Sequence, residues 1–216
     1  MPGKGGALVI ALIAALSLIA VPRSARLDPT ARQTVEYHIT HPFHDVTGVA
    51  HKVQGEARLL PDGSIEGEVR VPFSAFATGN ENRDANARAT LETDRFPDIL
   101  VKAVVKAPPP KSYPGTVTAQ ADLEVAFHGV THSRRVPLTI EWQSPDQARV
   151  TGAFDVSLTA HHVRRPALLF VPIGDRVRID FNLVFRAEAM GSRSLEGGPV
   201  EHAAGLRVGP RERPKA

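Results

Sequence analysis

Histidine is the residue type whose number and spacing in this chain first suggest chemistry. The 216 residues include nine histidines, and His38, His41 and His44 stand three positions apart. A metal ion needs three or four such side chains that converge on one point. Positions three apart on a strand face opposite sides, so His38 and His41 diverge unless Pro42 breaks the strand between them. Ordinary hydrogen-bonded histidines are the favoured interpretation, and a metal site in His-rich loops is the alternative.

Acid–base and nucleophilic catalysis find little support in the sequence. Cysteine is absent, which excludes a thiol nucleophile, disulfides and Cys-ligated metals. The chain has no Gly-x-Ser-x-Gly elbow, no phosphate-cradling Gly-rich loop and no Walker pattern. Glu56, Glu66 and Glu68 alternate with apolar residues and face outward, whereas a catalytic acid–base pair lies in a cleft with a shifted pKa. We therefore expect a protein that is not an enzyme and that uses no cofactor.

Alternation of apolar and polar residues predicts that strands build the body of the chain. Eight such runs occur, and a Pro61-Asp62-Gly63 turn joins the second to the third. The runs cover residues 35–39, 53–59, 65–71, 99–105, 117–127, 136–142, 150–156 and 177–185. An antiparallel sheet must bury its apolar face, and closure into a barrel also removes the edge strands. The expected fold is all-β, an eight-stranded antiparallel barrel, although alternation alone leaves a sandwich open.

One short helix is expected in the long connection between Phe76 and Ile99. The segment from Asp84 to Leu91 consists mostly of helix-tolerant residues, and Asp84 is a candidate N-cap. This connection is the one place in the body where a helix is predicted.

The inward positions of the predicted strands mix small residues with large ones. The small ones are Gly55, Ala57, Gly67, Ala103, Ala119, Ala121 and Gly152. Eight strands enclose a lumen that is either packed or able to hold one small ligand. Small residues favour a hollow barrel, but barrel taper and glycines at bulges are an equally good explanation.

The two ends of the chain differ from the body in composition. Gly5 to Val21 form a nearly unbroken apolar run behind Lys4, which is the layout of a secretory signal. We expect residues 1–25 to be a signal peptide or N-terminal anchor, and the body, residues 33–189, to be periplasmic or secreted. Residues 190–216 are rich in Gly, Pro and Arg and are expected to form a disordered tail. The net charge of +3 comes without a clustered basic surface, so no nucleic-acid partner is expected.

Four segments in a fixed order carry a family resemblance. They are His44-Asp45-Val46-Thr47-Gly48, then Thr78 with a polar loop ending Arg83-Asp84 and a later Phe96-Pro97, then Phe127-His128-Gly129-Val130-Thr131, and last Gly152-Ala153-Phe154 with Val163-Arg164-Arg165-Pro166. Together they resemble the YceI-like family, whose members are exported, lipocalin-like polyisoprenoid-binding proteins. The resemblance spans about residues 35–187. Two features depart from it: Asn86 stands where many relatives carry His, and the loop from Arg164 to Pro172 differs from the commonest version.

The resemblance implies a lipocalin-like barrel whose apolar lumen holds an isoprenoid lipid, such as a quinone or a prenyl phosphate. Each buried methylene contributes about 0.8 kcal/mol, so a prenyl chain needs no strong polar contact. A polar cluster at the barrel mouth would then select the head group. Arg83 is the first candidate, because a guanidinium forks to phosphate or to a quinone oxygen, and a salt bridge that braces the loop is its alternative role. Asn80, Asn82 and Asn86 can add neutral hydrogen bonds.

The function expected from these observations is non-catalytic binding and transport of that lipid. The alternatives are a metal-binding or metal-dependent envelope protein with His-rich loops, and a scaffold with a fully packed barrel. Membrane contact is expected only through an uncleaved N-terminal segment, and a homodimer is compatible with this kind of barrel. Further candidate ligand contacts, apolar in character, are Val101, Leu123, Val125, Phe154, Phe181, Leu168 and Phe170.

Overall fold

The computed structural model describes residues 23–168 and 170–188. The predicted tail and all of the predicted N-terminal segment before Arg23 lie outside these residues. The strands are β1 (Arg23–Leu27), β2 (Thr34–Ile39), β3 (Val46–Ala50), β4 (Gln54–Leu59), β5 (Ser64–Pro72), β6 (Phe76–Ala77), β7 (Asp98–Lys106), β8 (Gly115–Phe127), β9 (Val130–Ser144), β10 (Gln147–Ser157), β11 (Ala167–Leu168), β12 (Val171–Pro172) and β13 (Arg176–Ala187). The helix α1 covers Glu81–Thr90. None of the described residues belongs to a helix long and apolar enough to cross a bilayer.

The main sheet closes on itself and forms a barrel. Its strands follow the order β1-β4-β5-β7-β8-β9-β10-β13, and β13 pairs back with β1. Strands β2, β3 and β6 extend the sheet beside the first half of β13. As a result, two consecutive strands share one position in the barrel in three cases: β1 with β2, β3 with β4, and β5 with β6. The barrel therefore has eight antiparallel strand positions, as the alternation predicts, and the sandwich alternative was wrong.

The barrel begins ahead of the predicted domain start at residue 33. Ala25 in β1 pairs with Ala57 on one side and with Ala187 on the other. Residues 23–25, which the composition places in the N-terminal segment, are thus part of the barrel wall. The strand is short and largely exposed, so it lacks the strong alternation that reveals the other strands.

A side-chain amide bridges the interruption between β1 and β2. The Gln33 Nε2 donates to the Val184 carbonyl at 3.4 Å, and the Gln33 Oε1 accepts from the Val184 N–H at 2.8 Å. The Asp28 N–H donates to the same carbonyl at 2.8 Å. Both backbone groups of Val184 are therefore paired at a point where no strand lies beside β13, as a buried backbone requires.

The helix starts three residues earlier than predicted. Its N-cap is Asn80, whose side chain accepts a hydrogen bond from the Arg83 N–H at 3.0 Å. Asp84 lies inside the helix and instead accepts from the Thr78 N–H at 3.1 Å and from the Thr78 hydroxyl at 2.7 Å. The cap prediction was wrong because Asn and Asp cap equally well, and both stand in this loop. No residue of α1 is buried.

Candidate ligand-binding cavity

An apolar cavity of about 680 Å³ lies inside the barrel. One end, which we call the mouth, lies beneath α1, where β5 and β10 end and β7 and β13 begin. At the opposite end the wall includes Trp142, Asp146 and Arg23. The volume falls in the range of about 300–1,000 Å³ that is usual for small-molecule pockets. The barrel is therefore hollow rather than packed.

Small residues on adjacent strands make the lumen wide at mid-height. Ala57 pairs with Gly67 and Gly67 pairs with Ala103, and all three line the cavity. A Cβ added at Gly67 would meet no atom closer than 3.6 Å, so this glycine leaves usable space. At Gly152, in contrast, the ring of Phe181 on the neighbouring strand approaches the Cβ position to 2.6 Å. The predicted small residues thus divide between lining free volume and accommodating an aromatic ring.

Polar side chains collect at the mouth, as the resemblance implies. Asn80, Asn82, Arg83 and Asn86 all line the cavity, and Asp84 lines it with them. The ion pairs among the described residues do not include Arg83. The salt-bridge role considered for Arg83 is therefore not found in this part of the chain, and the guanidinium is available to a guest.

Tyr37 is a mouth residue that the sequence analysis missed. It lines the cavity, and its ring covers Gly48 on the paired strand β3. Burial raises the pKa of the Tyr37 hydroxyl, the Asp84 carboxylate raises this pKa further, and the Arg83 guanidinium lowers it. The hydroxyl is therefore a neutral donor that lies near both charges. Its inward position in the alternation of β2 was the available signal.

Five of the predicted apolar contacts lie in the cavity wall: Val101, Leu123, Val125, Phe154 and Phe181. They belong to β7, β8, β10 and β13, so a guest would meet apolar side chains from half of the strand positions. Whether they contact a ligand stays a prediction.

Of the two contacts predicted in the late loop, Phe170 is described and does not join this wall. Phe170 is fully exposed and stands with a positive φ of 69° between β11 and β12. These two short strands pair with each other. Phe170 is therefore not part of the cavity wall, and whether it contacts a ligand stays a prediction. The side chain of Leu168 lies outside the described residues.

The histidines serve as local hydrogen-bonding groups. His41 is buried, its Nδ1 accepts from the Phe43 N–H at 3.2 Å, and its Nε2 donates to the Val171 carbonyl at 3.1 Å. The exposed His38 instead contacts the Thr47 hydroxyl at 3.0 Å. Across residues 23–168 and 170–188, no three His, Asp or Glu side chains are grouped so that they could hold a metal ion. The metal alternative therefore has no support.

A second histidine is buried where β9 and β10 separate near the mouth. The pairing of β10 with β9 stops at Gly152, and the segment after β10 packs against the hairpin of β8 and β9. His161 in this segment is fully buried, and its Nδ1 donates to the Ser157 carbonyl at 2.8 Å. Its ring lies 5.1 Å from the Phe127 ring and 4.6 Å from the His132 ring. Burial lowers the pKa of His161.

Comparisons with known proteins identify related sequences and folds. The sequence profile of the YceI-like domain matches residues 26–185. Among solved structures, a polyisoprenoid-binding domain from Saccharophagus degradans, implicated in plant cell wall breakdown, is 14% identical with a TM-score of 0.61, covering 76% of this chain and 98% of that chain. BcnA from Burkholderia cenocepacia is 15% identical with a TM-score of 0.57, covering 70% and 95%.

A third similar structure is the YceI protein of Campylobacter jejuni, 13% identical with a TM-score of 0.50 and covering 69% of this chain and 89% of that chain. At these identities the structural likeness shows the shared fold. Among curated proteins, no sequence matches the chain significantly.

Proposed function

Because the chain belongs to the YceI-like family, we propose that its barrel binds an isoprenoid lipid, with the prenyl chain in the lumen and the head group at the mouth. The observation that carries this proposal is the apolar cavity of about 680 Å³ beneath a polar mouth. A similar fold from Saccharophagus degradans is described as a polyisoprenoid-binding domain, which supports the same class of ligand.

The lumen supplies the affinity in this proposal. Each methylene of the chain removed from water contributes about 0.8 kcal/mol, and part of that gain offsets the ordering of a flexible ligand. The wall consists mainly of apolar side chains with few polar groups. It therefore binds the prenyl chain of the lipid without selecting one lipid over another. Specificity therefore has to come from the mouth.

The mouth offers hydrogen-bond donors to the head group. Arg83 carries a positive charge, and the adjacent Asp84 carries a negative one while it holds Thr78 through hydrogen bonds. Arg88 of α1 also lines the cavity, so the charges at the mouth do not select between a neutral head group and a phosphate. The carbonyl oxygens of a quinone suit the Arg83 guanidinium and the neutral Tyr37 hydroxyl, since both donate hydrogen bonds.

The biological role we propose is to shield and carry this lipid through an aqueous compartment outside the cytoplasm. The barrel would do so by binding alone, without chemistry of its own. Export through the N-terminal segment and a possible homodimer stay predictions from the sequence.

A lumen-blocking variant tests the proposal. Mass spectrometry of organic extracts of the purified protein should find a prenyl lipid, and titration with a prenyl quinone in detergent should show binding. Gly67→Leu places a side chain in free space and should weaken quinone binding at least about tenfold, since it displaces several methylenes. Glu66→Leu, the outward neighbour on β5, is the matched control and should bind normally. No prenyl lipid in extracts together with no binding of added quinone would overturn the proposal.

A further inference from the structure

Two aromatic side chains stand exposed on loops at the mouth. Phe43, between β2 and β3, is 57% exposed, and Phe170, between β11 and β12, is 100% exposed. The same loops place His44 and Ala167 in the cavity wall. Single exposed apolar residues are common on soluble proteins, but here two large ones flank the opening of one apolar cavity. We call these two loops the mouth rim.

A buried histidine holds the two parts of the mouth rim together. The Nδ1 of His41 accepts from the Phe43 N–H, and the Nε2 donates to the Val171 carbonyl beside Phe170. A second bond between the two segments runs from the Gly174 N–H to the Thr40 carbonyl at 3.0 Å. The segments that carry Phe43 and Phe170 are thus connected by hydrogen bonds and are not two independent loops.

Charges of both signs accompany the rim. Arg164 is exposed, and Arg165 next to it donates to the Ile173 carbonyl at 3.2 Å, which braces the β11–β12 hairpin. Asp45, two positions after Phe43, is also exposed, and the Asp175 carboxylate accepts from the Ser157 hydroxyl and the Thr159 N–H. Because these charges balance, the exposed aromatic side chains, a residue type that inserts at the interface of a bilayer, are the feature that points to a membrane.

We propose that the mouth rim docks on a lipid bilayer, with Phe43 and Phe170 inserted at the boundary of head groups and acyl chains. The inference rests on the proposed function, because an apolar guest has to pass between membrane and barrel. With the mouth on the bilayer, the prenyl chain moves from one apolar environment to the other without crossing water. This contact is separate from any contact made by the N-terminal segment.

Tryptophan fluorescence tests which face inserts. Trp142 is the only tryptophan of the chain, so Trp142→Phe gives a silent background for new probes. Phe170→Trp in this background should shift its emission to the blue when phosphatidylcholine vesicles are added. Tyr113→Trp, at the opposite end of the barrel, is the matched probe and should not shift. No shift at position 170, or equal shifts at both positions, would overturn the docking proposal.

Vesicle sedimentation tests the contribution of the aromatic side chains. Phe43→Ser combined with Phe170→Ser should lower partitioning onto phosphatidylcholine vesicles about tenfold or more, since two apolar insertions are lost. Val104→Ser, which removes a 43% exposed residue of the barrel wall, should leave partitioning unchanged. Unchanged partitioning of the double variant overturns the proposal.

Quinone binding from detergent micelles separates this proposal from the one on which it rests. The double variant should bind quinone from micelles normally, because neither phenylalanine lines the cavity. If the native protein binds quinone but ignores vesicles, docking on a bilayer is wrong while lipid binding stands, and the rim would then serve a protein partner.

Discussion

Neighbouring residues at the mouth carry out different tasks. The Arg83 guanidinium forms no ion pair among the described residues, whereas the Asp84 carboxylate accepts hydrogen bonds from the N–H and the hydroxyl of Thr78. Asn80, one turn earlier, is occupied as the helix cap. Arg83 is therefore the side chain of this loop that can turn to a guest without loosening the loop itself.

Replacing Arg83 should separate head-group recognition from chain binding. Arg83→Gln should weaken binding of a prenyl quinone about tenfold or more, since hydrogen bonds from a charged donor contribute about 1.5–3 kcal/mol. Binding of squalene, an isoprenoid without a head group, should stay the same in a parallel titration. Arg58→Gln on the outer wall is the control for loss of one positive charge. Equal weakening for both ligands would assign Arg83 to the loop structure instead.

His161 should make stability depend on pH. Burial lowers its pKa below the ordinary value of 6.5, so the unfolded chain binds a proton that the folded chain does not. The stabilisation is complete above about pH 6.5 and is lost as the pH falls towards the lower folded pKa. Urea unfolding between pH 7.5 and pH 5 should show a smaller loss for His161→Asn than for the native protein. His162→Asn, at the exposed neighbour, should follow the native curve; if both variants behave alike, His161 is not the group responsible.

Alternation revealed residue roles only where a side chain lies in a regular strand. The positions of Val101, Leu123 and Val125 in the wall follow from period two alone. Phe170 follows no period, because a turn residue takes its direction from the backbone. The alternation of β2 correctly predicts that Tyr37 points inward. It does not predict that the hydroxyl lies near Asp84 and Arg83, because such a contact depends on how two distant segments pack together.

At the scale of elements, α1 is attached by its ends rather than by a buried face. Asn80→Ala removes its N-cap and should cost the helix about 1 kcal/mol. The global free energy of unfolding should change little, because the helix buries no residue. Hydrogen exchange should show the α1 amides exchanging about fivefold faster while the barrel amides keep their rates. Asn86→Ala removes an amide from the same helix away from the cap and should not speed exchange; faster exchange in both would exclude a specific capping effect.

The interruption between β1 and β2 should be a sensitive point of barrel closure. Gln33→Ala leaves the Val184 N–H without its partner in a buried place, which costs about 1–3 kcal/mol. Chemical denaturation should report this loss. Gln54→Ala, at an exposed position of β4, is the control and should be close to neutral. Equal stability of the two variants would mean that water or backbone movement replaces the Gln33 amide.

Sequence patterns located the continuous strands better than the interrupted ones. Strands β7, β8, β9, β10 and β13 stand where alternation predicts them. β1, β3 and β6 were missed because each has five residues or fewer, which is too short for a clear alternation. The helix was placed in the correct connection but with the wrong cap, because several capping residues stand in one loop and propensity does not choose between them.

At the scale of the whole molecule, closure was predictable and hollowness was not. Eight amphipathic runs have few ways to bury one face and keep no edges, so the barrel follows from the pattern. Whether its centre is filled depends on where individual aromatic rings lie. At Gly152 the ring of a neighbouring strand fills the space, whereas at Gly67 the space stays free. Volume is a property of the assembled wall rather than of any segment.

An ion pair stands at the end of the lumen far from α1. The wall there includes Arg23 and Asp146, which form an ion pair that is largely exposed to solvent. Exposed ion pairs contribute little stability, so this closure is easily displaced. For a guest longer than the lumen we therefore expect its tail to displace the Arg23–Asp146 pair and to leave the barrel at the end opposite the head group.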